Sequence, residues 1–182
     1  MIELINKSHT LVFGCGNPLF GDDGFGPAVI QYLETHYTPA DGCTFIDVGT
    51  SIREILFDII LSDRRPEKII ILDAVDMPGR WPGELFDIDV DQIRPEKISD
   101  FSLHQFPTTN MLKELKENTS IDIRLMVVQF ETLPDMVAPG LSLPVQKAVP
   151  VIAEKLIRDL GGKPIHEKGR SMDDNVSVTF AF

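Results

Sequence analysis

Two aspartates, Asp22 and Asp23, stand side by side in the glycine-rich segment Gly14-Cys-Gly-Asn-Pro-Leu-Phe-Gly-Asp-Asp-Gly-Phe-Gly26. Asp73 follows the apolar run Lys68–Leu72 (KIIIL), and His104 lies in Phe101-Ser-Leu-His-Gln-Phe-Pro107, just before a helical pattern. Two carboxylates and an imidazole make an N/O donor set for a divalent transition metal with open positions; nickel, zinc and iron all fit it. Each residue also has a plainer explanation. An aspartate at a helix start caps it and suits the macrodipole. An aspartate after a buried strand is a common loop residue, and lone histidines are usually structural or exposed, which is the reading for His9, His36 and His166. Capping explains only one of the acidic pair, because adjacent helix residues point about 100° apart. Asp22 lies three and seven positions before Phe25 and Val29, in line with a core-facing stripe, so it is expected to cap. Asp23 is then left to face a crevice.

The same glycine-rich segment invites a nucleotide reading, but the spacing disagrees. After Gly14 and Gly16 the third glycine of G-x-G-x-x-G would fall at Leu19. Two negative charges at the helix start would also repel a pyrophosphate, which normally sits there.

The elements that must position these residues can be read from hydrophobic period. Thr10–Cys15 (TLVFGC), Thr44–Val48 (TFIDV), Lys68–Leu72 and Ile121–Phe130 (IDIRLMVVQF) are apolar runs of strand length, as buried parallel strands are. Gly83–Val90 alternates apolar and acidic residues and reads as an edge strand with one wet face. Helical faces are formed by Phe25, Val29, Tyr32 and Leu33, and by Ile52, Ile55, Leu56, Ile59 and Ile60, the latter opened by a capping box at Ser51-Ile-Arg-Glu54. A third helix covers Pro107–Lys116. The last begins near Ser142, turns Val145, Val149, Ile152, Leu156 and Leu160 inward, is open to a kink at Pro150 and stops at Gly161-Gly162. The expected fold is α/β: a single three-layer domain with a twisted, mostly parallel five-stranded sheet, helices on both faces and one antiparallel edge strand. Residues 1–162 form the domain, and 163–182 are expected to be a loosely attached tail that can add a strand or dock on a partner through Val176–Phe182.

Composition narrows the function classes. The 182 residues are 43% hydrophobic and 25% charged, ordinary for one globular domain. Acidic residues outnumber basic ones by 28 to 17, a net charge of −11 that repels phosphate backbones, so nucleic acid is not an expected partner. No apolar stretch is long enough for a membrane span, and Met1–Lys7 lacks the form of a signal peptide, so a soluble, cytoplasmic protein is expected. Cys15 and Cys43, too few and too far apart for a zinc or iron–sulfur motif, read as small core residues in a reducing compartment.

Taken in order, the motifs resemble those of the hydrogenase maturation endopeptidases. Gly14-Cys-Gly-Asn17 followed by Asp22-Asp-Gly24 is similar to the family's opening, and Asp47-Val-Gly-Thr50 to the end of its second strand. Ile71-Leu-Asp-Ala-Val75 resembles its central aspartate strand, Ser102-Leu-His-Gln105 its histidine motif, and Leu141-Ser-Leu-Pro-Val145 the opening of its last helix. The likeness spans roughly Leu11 to Leu160. It implies that Asp23, Asp73 and His104 contact a metal and carry the reaction. The implied reaction is removal of the C-terminal propeptide of a nickel–iron hydrogenase large-subunit precursor after nickel insertion. The nickel is brought by that substrate, and no tightly bound cofactor of the peptidase's own is expected. Nickel so bridged either polarises a peptide carbonyl or only organises the complex. Many members carry glutamate where this chain has Asp23, and Gln129–Leu133 replaces a proline-containing turn usual in the family. Asp at position 23 and the long tail resemble the subgroup serving deazaflavin-reducing hydrogenases of methanogens. Three other readings stand beside this one: a metal-independent aspartic-type peptidase with an Asp23/Asp73 dyad, a nucleotide-binding α/β protein, and a nickel-binding chaperone that does not cut.

Overall fold

A computed structural model describes residue 5, residues 7–90 and residues 106–165. Five strands form one sheet in the order β3-β1-β4-β6-β5. They are β1 (Thr10–Cys15), β3 (Cys43–Gly49), β4 (Lys68–Val75), β5 (Leu85–Ile88) and β6 (Asp122–Gln129). β1 pairs in parallel with β3 and β4, β4 pairs in parallel with β6, and β5 runs antiparallel to β6 at the edge. The expected five-stranded sheet with one antiparallel edge is what the chain forms. The acidic alternation of β5 has its reason there: Asp87 points out and takes an ion pair from Arg124 of β6 at 2.7 Å.

Helices cover both faces, and the period-2 alternation of the strands decides which side chains meet which helix. On one face Val12, Ile70, Leu72, Met126 and Val128 pack against Phe25, Val29 and Leu33 of α1 (Phe25–His36) and Val145, Val149, Ile152 and Leu156 of α4 (Leu143–Leu160). On the other, Leu11, Phe13, Ile69, Ile71 and Ile123 meet Ile52, Ile55, Leu56 and Ile59 of α2 (Ile52–Leu61) and Leu112 and Leu115 of α3 (Phe106–Asn118). β1 and β4 are buried on both faces, so their sequences read as near-continuous apolar runs rather than alternating ones.

Several local expectations change. Ser51 sits at the N-cap of α2, but its side chain makes no capping hydrogen bond. α4 continues through Pro150 as one helix and ends at Gly161, whose φ of 75° is the left-handed conformation glycine adopts without a Cβ penalty. The tail is fastened at its start: β7 (Lys163–Pro164) pairs antiparallel with β2 (Tyr37–Thr38), and Ile165 N donates to His36 O at 2.8 Å. The rest of the tail, including Val176–Phe182 and His166, lies outside the described residues.

Candidate active site

From β1 the chain passes through α1 to β3 on one side, then returns through α2 to β4 on the other. The carboxyl ends of β1 and β4 therefore flank a topological switch point, the place where open α/β sheets leave a crevice. Asp23 follows β1 and Asp73 lies near the end of β4, so the switch point brings both to one end of the sheet.

Close approach of backbones shapes the first loop. A Cβ on Gly14 would come within 2.5 Å of Gly26 O, and one on Gly26 would collide with Cys15 O, so these glycines let α1 start directly against β1. Gly16 has φ of 118°, and a Cβ there would collide with Asp23 O. The loop thus folds back on itself. Asp23 lies in a 3-10 turn, Gly21–Gly24, and its Oδ2 accepts the Asn17 N–H at 2.8 Å. A loop amide that a phosphate would need is thereby engaged by a carboxylate, a further argument against the nucleotide reading.

Asp22 behaves differently from the expected cap. The turn carries no side-chain capping bond, and Asp22 is fully buried. Its Oδ2 accepts from Glu131 N at 2.9 Å, Thr132 N at 3.0 Å and Ser142 Oγ at 2.9 Å, and its Oδ1 accepts from Ser142 N at 2.6 Å. One carboxyl side chain accepts from four donors in the segment between β6 and α4. Main-chain bonds extend the seam: Gly21 N donates to Ala138 O and Ala138 N to Leu19 O, both at 2.9 Å. The sequence marked Asp22 as inward-facing, but its partners lie 109 to 120 positions away, beyond any local capping rule.

Asp73 lies within β4, opposite Val127 of β6, rather than just after the strand as expected. It is 6% exposed, and its Oδ1 accepts the Ala74 N–H at 2.8 Å. The neighbouring loop is held by Gln129, also buried, which accepts from Met77 N and donates to Asp76 Oδ1, both at 2.8 Å. Cys15, the last residue of β1, lies within the electrostatic reach of both aspartates. Burial pushes its thiol well above the ordinary range, and the charges of Asp73, Asp23 and Asp47 push it further the same way. A thiol held protonated is a poor nucleophile, so this crevice is not built for cysteine catalysis.

A cleft of about 400 Å³ opens here, lined by Cys15, Asn17, Phe20, Asp23, Thr50 and Leu133 among others. A larger hollow of about 500 Å³ lies on the other side of the same loop, against Pro27, Gln31 and Leu141, and contains neither Asp23 nor Asp73. Asp23 lines the smaller one, and Asp73 lines neither of the two. His104 falls outside the described residues. His9 pairs with Glu67 just before β1, and His36 bonds Tyr32 O at the far end of α1, so both belong to the opposite end of the sheet. Among the described residues no group of three His, Cys, Asp or Glu side chains is arranged to hold a metal, and no helix is long and apolar enough to cross a membrane.

Known proteins similar to this chain in sequence and fold include hydrogenase maturation proteases. The signature of the hydrogenase maturation protease family matches residues 27–159. A Methanocaldococcus jannaschii protein named for the same protease family is 37% identical over 158 residues, 86% of this chain and 99% of its own. The coenzyme F420 hydrogenase subunit delta of Methanothermobacter thermautotrophicus is 35% identical, covering 85% of this chain and 96% of its own. The hydrogenase maturating endopeptidase HybD of Escherichia coli superposes with a TM-score of 0.67 at 25% identity, over 86% of this chain and 96% of that one. Sequence and fold agree over most of both chains, and the protein belongs to the hydrogenase maturation protease family, a family of peptidases.

Proposed function

We propose that this peptidase removes the C-terminal propeptide of a nickel–iron hydrogenase large-subunit precursor after nickel has been inserted, and that it recognises the nickel the substrate carries. The observation that supports the reading is that Asp23 follows β1 and Asp73 lies near the end of β4, the two strands flanking the switch point, each aspartate steadied by a backbone N–H, from Asn17 and Ala74. Carboxylate oxygens on fixed elements are apt ligands for a divalent cation arriving from outside, and His104 supplies the third donor. Two or three such ligands leave coordination positions for the substrate's own groups, unlike a closed four-ligand structural site. In this arrangement Asp23 and Asp73 are both the metal-contacting and the catalytic residues, together with His104. The substrate's nickel is a Lewis acid able to polarise a peptide carbonyl beside it. The similarity to a coenzyme F420 hydrogenase subunit delta supports a deazaflavin-reducing hydrogenase as the client. The described helices and the acidic balance of the chain support action in the cytoplasm on a protein, with neither membrane nor nucleic acid involved.

The test is to mix purified protein with nickel-loaded precursor and weigh the products. Wild type should release one C-terminal peptide. Asp23→Asn, Asp73→Asn and His104→Ala should each slow release at least about 100-fold while keeping the wild-type far-UV spectrum. Full processing by any two of these variants removes the assigned site.

A further inference from the structure

Among the described residues ten large hydrophobic side chains are exposed, and six of them sit on loops or a helix start at the same end of the sheet as Asp23 and Asp73: Leu19, Trp81, Leu133, Met136, Val137 and Leu143. Four of these crowd onto two loops joined by the Asp22 seam. Leu19 is 49% exposed on the first loop, and Leu133, Met136 and Val137 are 37%, 80% and 63% exposed on the second. Phe20 bridges to Ala138, which places the two runs side by side. Leu133 also lines the cleft that holds Asp23, so the platform shares a residue with the proposed active site. Side chains kept in water on loops that are otherwise tightly hydrogen-bonded mark an interaction surface, because exposure costs what burial against a partner would recover.

We infer that Leu19, Leu133, Met136 and Val137 form a docking platform for an apolar segment of the precursor polypeptide adjoining the bond to be cut. Asp22 is the positioning residue that locks its two halves together. This inference rests on the peptidase reading, whose crevice it extends. The sharing of Leu133 between platform and cleft selects the substrate chain as its occupant. Glu131 and Asp135 share the second loop with the apolar side chains, and with a net charge of −11 they disfavour both an anionic lipid surface and a second copy of this chain.

The double variant Met136→Ser/Val137→Ser and the single variant Leu19→Ser alter exposed side chains, so both should fold as wild type does. With nickel-loaded precursor, each should raise KM for tail removal, the double variant at least about tenfold, with kcat within about twofold. Phe57→Ser/Leu61→Ser, an equally exposed pair on α2, should change neither constant. Wild-type KM in both platform variants overturns the inference, as does a wild-type dimer that the double variant dissolves without change in KM. Binding of the immobilised precursor, measured in parallel, separates the two levels. A wild type that binds but does not cut, with binding weakened by the double variant, leaves the platform standing and removes the peptidase reading. A wild type that neither binds nor cuts removes both.

Discussion

Asp22 and Asp23 are neighbours in the chain and opposites in environment. Asp23 faces the cleft with one backbone N–H on its carboxylate, while Asp22 is sealed inside with four donors. Asp22→Asn replaces an acceptor-only group by one that points an NH2 at backbone N–H groups, leaving buried donors unmatched. It should destabilise the domain by about 3 kcal/mol or more, read from urea unfolding. A loss below about 1 kcal/mol would mean the seam is dispensable. Asp23→Asn, on a partly exposed carboxylate, should cost far less stability while stopping turnover. The thiols give a second residue-scale outcome. Burial pushes Cys43 up to about 11 and Cys15 well above the ordinary range. At pH 8 the thiolate fraction of Cys43 is then about 1 in 1,000. Iodoacetamide should label native protein at both cysteines far more slowly than unfolded protein. Both thiols are held neutral in the folded state, so their contribution to stability is complete below the ordinary thiol pKa. It is lost as pH rises through the folded values, and alkaline unfolding should accelerate toward pH 11. Rapid labelling of Cys15 in folded protein would contradict its burial beside negative charge.

At the scale of elements, what was legible in the sequence was what hydrophobic period encodes. β1 was expected and found at Thr10–Cys15, α2 with its Ile52, Ile55, Leu56 and Ile59 face, and α4 from Ser142 to Gly161. What was not legible has specific physical causes. β2 and β7 are two residues each, too short to show any period. Strand ends were misjudged where a polar residue stays in register, as Asp73 does opposite Val127. The Ser51 capping box has the right sequence and marks the right boundary, yet α2 starts without the side-chain bond. Asp23 and Asp73 were singled out as crevice residues from their place after strands, and the sheet order puts both beside the switch point. The Asp22 seam was invisible because it joins segments more than 100 positions apart. The start of the tail yields an element-scale outcome. A chain ending at Gly162 loses the β2–β7 pair and the Ile165–His36 bond but none of the five sheet strands. It should fold cooperatively with a Tm lowered by a few degrees at most, about 1 kcal/mol for a domain of this size. Failure to fold would show that the tail completes the core.

Among the described residues, Asp23, Asp73 and six of the ten exposed large hydrophobic side chains lie at one end of the α/β domain. Both faces of the sheet are filled by helix contacts, and strand order sets where the crevice lies. Such a scaffold suits a checkpoint. On the proposed assignment Asp23, Asp73 and His104 would offer too few ligands to hold a metal firmly alone, and the substrate would bring its nickel already bound. The measurement that tests this most directly is mass spectrometry of the large-subunit precursor after incubation with this protein, run in parallel with nickel-loaded and metal-free precursor. Tail release from the nickel-loaded form, with none from the metal-free form even when free nickel-binding sites on the peptidase are saturated, is the result expected. Equal cleavage of both forms would contradict it, since the metal on the substrate would then play no part in recognition.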